Sequence, residues 1–269
     1  MQAAAWWQHG VLDPQGPVGV AERTILLDAT VIMLAVVVPV IVMALAFAWW
    51  FRAGNRRARR RPDWDYSGPV EVTVWAIPLL VVLFLGGIGW LGAHELDPSR
   101  RIASDARPLE VQVVALDWRW LFIYPDEGVA SVGRLVVPAG VPLHLRLTSA
   151  SVMNSFFVPQ LGSQVYAMGG MATTLNLLAD RPGRYPGLSA QFSGDGFSDM
   201  RFDTDVLAPA AFADWLAQAR AAAAPLDAPA FARLARPASA GAPASFAPVL
   251  PGLFEAVLSH TASGTPWAS

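Results

Sequence analysis

Two long stretches of the chain carry no charge. They are residues 29–51, ATVIMLAVVVPVIVMALAFAWWF, and residues 72–93, VTVWAIPLLVVLFLGGIGWLGA. At 1.5 Å per residue the first spans roughly 35 Å, enough to cross a hydrocarbon layer of about 30 Å with some tilt. The pattern predicts transmembrane helices over 25–51 and 70–93. Each contains one proline, Pro39 and Pro78, which lipid-embedded helices tolerate when packing satisfies the freed backbone groups. The small residues of GGIGWLG suit close approach of another helix.

From about residue 108 the hydrophobic period falls to two. In RLVVPAGVPLHLRLTS, Leu143, Leu145 and Leu147 share one face while His144, Arg146 and Thr148 share the other. LEVQVVALDWRWLFIY, TTLNLLA and MRFDTDV are further strand-like runs, separated by turn clusters such as DRPGRYPG and SGDG. Such spacing predicts an antiparallel β-sandwich or small barrel over 108–207. Residues 94–107 read as a polar linker. Helical spacing returns in PAAFADWLAQARAAAA, with Pro209 as a start signal, and in APAFARLAR and GLFEAVLSH. Residues 208–269 are therefore expected to be a short helical C-terminal extension. The fold class is a membrane-anchored α+β chain.

Composition agrees: 54% of the 269 residues are hydrophobic, mean hydropathy is +0.39, and only 15% are charged against roughly 25% in soluble domains. The net charge of −2 gives no reason to expect nucleic acid as a partner. All nineteen basic residues are arginine, and six lie between Arg52 and Arg61. Under the positive-inside rule, loop 52–69 is cytoplasmic. Segment 1–24 and the C-terminus are then external, periplasmic in a bacterium. Residues 1–20 lack the basic start and apolar core of a signal peptide.

The absence of cysteine removes disulfides, thiolate metal sites and a cysteine nucleophile. His9, His94, His144 and His260 are far apart, with no ligand spacing. Met168, Met171 and Met200 are expected to fill core gaps, a soft copper site being the rival reading. Residues 187–200, GLSAQFSGDGFSDM, have the rhythm of a metal-binding loop without its ligands.

VLDPQGPVG, RRPDWDYSGPVEVTVWAIP, LDWRWLFIYPDEGVA, SVMNSFFVPQLGSQVYAMGGM and GLSAQFSGDGFS together resemble subunit II of the haem–copper terminal oxidases, in the cytochrome bo-type quinol branch. The resemblance covers nearly the whole chain and implies that the β-domain is cupredoxin-like. In the cytochrome c oxidase branch this loop and an upstream histidine hold CuA, a dinuclear copper centre. By that resemblance the ligand positions are Asn154, Ser189, Gln191, Ser193, Phe197 and Met200, and no metal is expected there, because hydroxyls and amides replace thiolates and imidazoles poorly.

The resemblance further implies haems and CuB in a partner subunit I, ubiquinol as the substrate of the complex, and subunits III and IV as further companions. Cytochrome c is not an expected partner. It implies no catalytic residue in this chain. Glu71 would stand at a proton-pathway entrance, although a first-turn acid favoured by the helix dipole is the plainer reading. Trp118, Trp120, Phe122 and Tyr124 are expected on one strand face, with Trp118, Arg119 and Trp120 as possible contacts to subunit I, or as sheet core. Asp28 reads as an interfacial residue. The expected function is that of subunit II of a proton-translocating ubiquinol oxidase in the inner membrane. The alternatives are a cytochrome c oxidase subunit II with degenerate CuA, and a stand-alone membrane-tethered cupredoxin-like binding module.

Overall fold

The computed structural model describes residues 10–59, 61–222, 224–238 and 241–263. The chain divides into two units, Arg23–Glu95, and Met1–Glu22 together with Leu96–Ser269.

Two helices dominate the first unit: α1 (Pro17–Trp50), whose opening residues belong to the second unit, and α2 (Gly68–Glu95). Both pass the length and hydropathy required to cross a membrane. α1 starts eight residues before the expected position 25. Pro17, pre-set for the first helical position, permits this. A Cβ added to Gly92 would come within 2.6 Å of the Ile25 side chain, so this glycine allows α2 to approach α1. At the other end of α1 the loop folds back to cap it. Arg52 Nη1 donates to the Trp49 carbonyl at 2.8 Å, and Asn55 Nδ2 donates to that of Trp50 at 2.6 Å. These are among the last carbonyls of the helix, which have no partner within it.

The second unit is built on two sheets. Strands β1 (Leu109–Leu116), β2 (Arg119–Tyr124), β3 (Val129–Val132), β4 (Arg134–Pro138), β5 (Pro142–Ser149), β6 (Asn154–Val158), β7 (Gly162–Ala167), β8 (Thr173–Leu178), β9 (Gly183–Ser189) and β10 (Arg201–Leu207) follow one another with short turns. After them come α3 (Pro209–Ala222), β11 (Ala224–Leu226), α4 (Ala228–Leu234), β12 (Ala244–Val249) and α5 (Leu253–Ala262). One sheet has the order β11-β12-β3-β2-β1-β5-β8, the other β4-β10-β9-β6-β7. Most pairings are antiparallel, but β1 with β5, β4 with β10 and β11 with β12 run parallel. The expected antiparallel sandwich holds for most pairings, and these three depart from it because intervening elements return the second strand in the direction of the first.

Between the sheets, Trp120, Phe122, Phe156 and Phe202 form an aromatic cluster, with Phe156 and Phe202 stacked at 5.0 Å. Gly187 is required beside it, since a Cβ there would overlap the Phe202 ring. A second core lies on the opposite face of the larger sheet. There Val114, Leu116, Leu121 and Ile123 meet Phe231 from α4 and Leu253, Phe254 and Val257 from α5. Both faces of β1 and β2 are thus covered, which explains their nearly continuous apolar runs.

The segment after 207 is not only helical. β11 and β12 extend the larger sheet, with Ser245 opposite Ser131 and Phe246 opposite Ala130. Two features hid them from the sequence: β11 is three residues long, and β12 contains Pro248, which argues against a strand except at an edge or irregularity.

Candidate functional site

The loop that carries the ligand-like spacing joins β9 to β10. Its ends are fixed by backbone bonds: Ser189 N–H donates to the Met200 carbonyl at 3.0 Å, and Ala190 N–H to that of Ser155 at 2.9 Å. Because β6 lies beside β9, with Phe156 opposite Ser189, Asn154 reaches the same place. Asn154, Ser189 and Met200 are all buried.

Their polar atoms are turned on one another. Ser189 Oγ lies 3.4 Å from both Asn154 Oδ1 and the Gln191 carbonyl. Asn154 Nδ2 donates to the Val152 carbonyl at 3.0 Å, and Ser193 Oγ points at Met200 Sδ, 4.0 Å away. Gln191 enters this cluster through its backbone oxygen. Phe197 opens a 3₁₀ turn, Phe197–Asp199, and its ring packs edge-on against Phe192 with centroids 5.7 Å apart. The structure therefore brings together Asn154, Ser189, Gln191, Ser193 and Met200, and turns Phe197 onto another aromatic ring.

This donor set does not fit a dinuclear copper centre. Two hydroxyls, an amide and one thioether offer no thiolate or imidazole, and the hydroxyls and amide are already hydrogen-bonded. Among the described residues no three His, Cys, Asp or Glu side chains gather. His144 Nδ1 lies 2.8 Å from Asn176 Oδ1, and His94 Nδ1 lies 2.8 Å from the Trp90 carbonyl. His9 lies outside the described residues. Of the three methionines expected in the core, Met200 is there, but Met171 is 54% exposed and fills no gap.

The glycines of SGDG have a cause of their own. Asp117 and Trp118 form the two-residue turn between β1 and β2, and Trp118 adopts φ +63°, an unusual value for a bulky residue. The indole is thereby laid over the loop. Its Nε1 donates to the Ser193 carbonyl at 3.3 Å, and a Cβ at Gly196 would overlap the ring. Trp118 thus lies in the turn rather than on strand β2, yet it packs against the same core cluster as Trp120, Phe122 and Tyr124.

Two of the three candidate partner contacts are spent inside the unit. Trp120 is completely buried between the sheets and presents no surface to a partner. Arg119 turns to the other side of the larger sheet. Its Nη2 donates to the carbonyls of Leu234 at 3.0 Å and Arg236 at 2.9 Å, satisfying the C-terminal end of α4. Burial lowers its pKa from the ordinary guanidinium value. Trp118 stays half-buried. In the other unit, Glu71 is exposed in the first turn of α2, its N–H bonded to the Ser67 carbonyl at 2.9 Å.

Sequence reasoning missed Trp118 as the cover of this loop and Glu22 as a tie in the same unit. Glu22 Oε1 accepts from Ser163 N at 2.8 Å and Ser163 Oγ at 3.0 Å. The available signal was the glycine pair Gly194 and Gly196, which asks for a large neighbour rather than a metal.

Residues 127–206 match the model of the periplasmic domain of cytochrome c oxidase subunit II. The chain is 46% identical to cytochrome bo(3) ubiquinol oxidase subunit 2 of Pseudomonas aeruginosa over 92% of its own length and 75% of that protein. It belongs to the ubiquinol oxidase subunit 2 family. Ubiquinol oxidase subunit 2 of Acetobacter aceti is 45% identical over 94% of this chain and 83% of that one. Among solved structures, the periplasmic domain of cytochrome oxidase subunit II from Bradyrhizobium japonicum is similar, with 22% identity and a TM-score of 0.40, over 44% of this chain and 96% of that domain. The relatives of this subunit 2 are named as parts of an oxidoreductase complex, and its two apolar helices with a periplasmic-type β-domain fit an inner-membrane protein.

Proposed function

We propose that this chain is the non-catalytic subunit II of a proton-translocating ubiquinol oxidase, whose complex oxidises ubiquinol and reduces dioxygen to water. Redox chemistry belongs to subunit I, with its haems and CuB. This chain braces that subunit through its helical hairpin and covers it externally with the β-domain. Subunits III and IV complete the assembly. The observation that supports the reading is the cluster around Ser189, where hydrogen-bonded hydroxyls and an amide stand at the positions that the resemblance matches to the relay ligands. Electrons delivered by a membrane-soluble quinol need no relay in this domain.

The arginine-rich loop 52–69 faces the cytoplasm in this reading, and both chain ends face the periplasm, as the positive-inside rule favours. Glu71 then lies at the cytoplasmic boundary, where an ionisable side chain beside a buried pathway is suited to collecting protons. Trp118, half-buried at the loop, is the aromatic left to contact subunit I.

Mild-detergent extraction tests the assignment. The chain is expected to co-purify with a large haem-bearing polypeptide and to carry no stoichiometric copper once separated from it. Copper in the separated chain, or reduction of the chain by a soluble haem donor, would refute the relay-free reading.

A further inference from the structure

The loop that caps α1 also builds a cleft of about 810 Å³, lined by Phe51, Arg52, Asn55, Arg59, Arg61 and Trp64. Its walls are of two kinds. Three arginines line this one small space, and among the described residues none of the three forms an ion pair. Phe51 and Trp64 are 58% and 61% exposed, and Phe51 directly follows the apolar helix. We propose that this cleft binds the headgroup of an anionic phospholipid, the phosphodiester held by Arg52, Arg59 and Arg61 and the glycerol and upper acyl chains resting on Phe51 and Trp64.

The chemistry argues for this occupant. Guanidinium presents planar pairs of N–H donors that match two phosphate oxygens, a geometry lysine lacks, and every basic residue here is arginine. Arg52 is already oriented: it donates to the Trp49 carbonyl, and its guanidinium lies 4.9 Å from the centre of the Trp49 ring. Asn55 shapes the turn between the arginines, its Oδ1 accepting from Arg57 N–H at 3.1 Å. An anion in the cleft relieves the repulsion among three unpaired cations. A free phosphate would do so too, but would leave the aromatic wall unused, whereas a lipid covers it. Clusters of arginine just beyond a membrane helix attract anionic lipid at about 1 kcal/mol per residue.

The inference rests on the proposal that the hairpin spans the membrane. Its test uses the oxidase extracted from membranes in mild detergent, with this chain released in a mass spectrometer under native conditions and its bound phospholipid counted. The variants are R52Q/R59Q/R61Q, R52K/R59K/R61K and a control in the linker, R100Q/R101Q/R107Q. The unaltered chain and the control are expected to retain an anionic phospholipid. Retention should fall on the order of a hundredfold in the glutamine variant and be intermediate in the lysine variant. Adding inorganic phosphate should not displace the lipid.

Equal retention in the glutamine variant would overturn the proposal, and so would ready displacement by phosphate. Loss of partner polypeptides with the lipid retained would make the cleft a protein contact instead. If no haem-bearing partner co-purifies, the oxidase assignment fails, while the lipid count on this chain still decides the cleft.

Discussion

The Tyr124 hydroxyl closes both backbone hydrogen bonds of Val136. It accepts from the Val136 N–H at 2.8 Å and donates to the Val136 carbonyl at 2.9 Å. Tyr124 ends β2 in the larger sheet, whereas Val136 lies in β4, the outermost strand of the smaller sheet. One phenol thus crosses the sandwich and serves, at that residue, as the neighbour the edge strand lacks.

Replacing Tyr124 with phenylalanine leaves two buried backbone groups unpaired and is expected to cost about 2 kcal/mol of stability. Burial raises the phenol pKa well above its ordinary 10.0. The folded form therefore holds this proton more tightly than the unfolded chain does. Its contribution is complete below about pH 10 and declines as pH rises further, towards the raised folded value. Urea titrations of the detergent-solubilised chain between neutral and strongly alkaline pH should show this decline, and Tyr124→Phe should remove that part of it.

Asp205 is buried and takes two arginines, pairing with Arg134 and, at 3.0 Å, with Arg184 Nε. Asp205→Asn removes the charge that compensates both. Since Arg184 is largely solvated and Arg134 partly so, the expected loss is about 2 kcal/mol, below the range for a fully buried pair. Added salt should change that difference little, because the carboxylate is shielded from solvent. Denaturation midpoints at low and high salt measure both effects.

Neighbouring tryptophans are expected to behave differently. Trp120→Ala empties space between the sheets and should cost about 4 kcal/mol, enough to lower accumulation of the chain in membranes. Trp118→Ala uncovers Gly194 and Gly196 and should leave the sheets intact while the loop opens. Limited proteolysis is expected to cut within residues 193–199 of the Trp118 variant under conditions that spare the unaltered protein.

Glu71→Gln keeps size and hydrogen-bonding capacity while removing the charge. If Glu71 collects protons, oxidase turnover should fall severalfold with subunit composition unchanged. An unchanged rate would leave Glu71 only as a favourable first-turn acid, worth about 0.5 kcal/mol.

Much of this architecture was legible because hydrophobic length and period report burial directly. The uncharged runs around Pro39 and Pro78 are helices, and the alternation of Leu143, Leu145 and Leu147 marks a strand with those residues in the core. Elsewhere the decisive cause lay outside the local pattern. Strict alternation put Trp118 beside Trp120, and it does pack against the same core, but the left-handed backbone at the turn, which the alternation does not report, also lays its ring over Ser193 and Gly196. Arg119 read as a partner contact because its actual partners, the Leu234 and Arg236 carbonyls, are more than a hundred residues away. β12 went unread for a similar reason, since a short strand with proline is defined by the edge it joins.

That last strand sets how the molecule fails when shortened. β12 lies along β3, whose four residues are all buried. A product clipped before residue 244 would bare a row of β3 amides and carbonyls beside apolar side chains, a template for pairing with another chain. Trimming from that end would thus turn a covered strand into a nucleus for aggregation, making an intact tail a condition of the domain's survival.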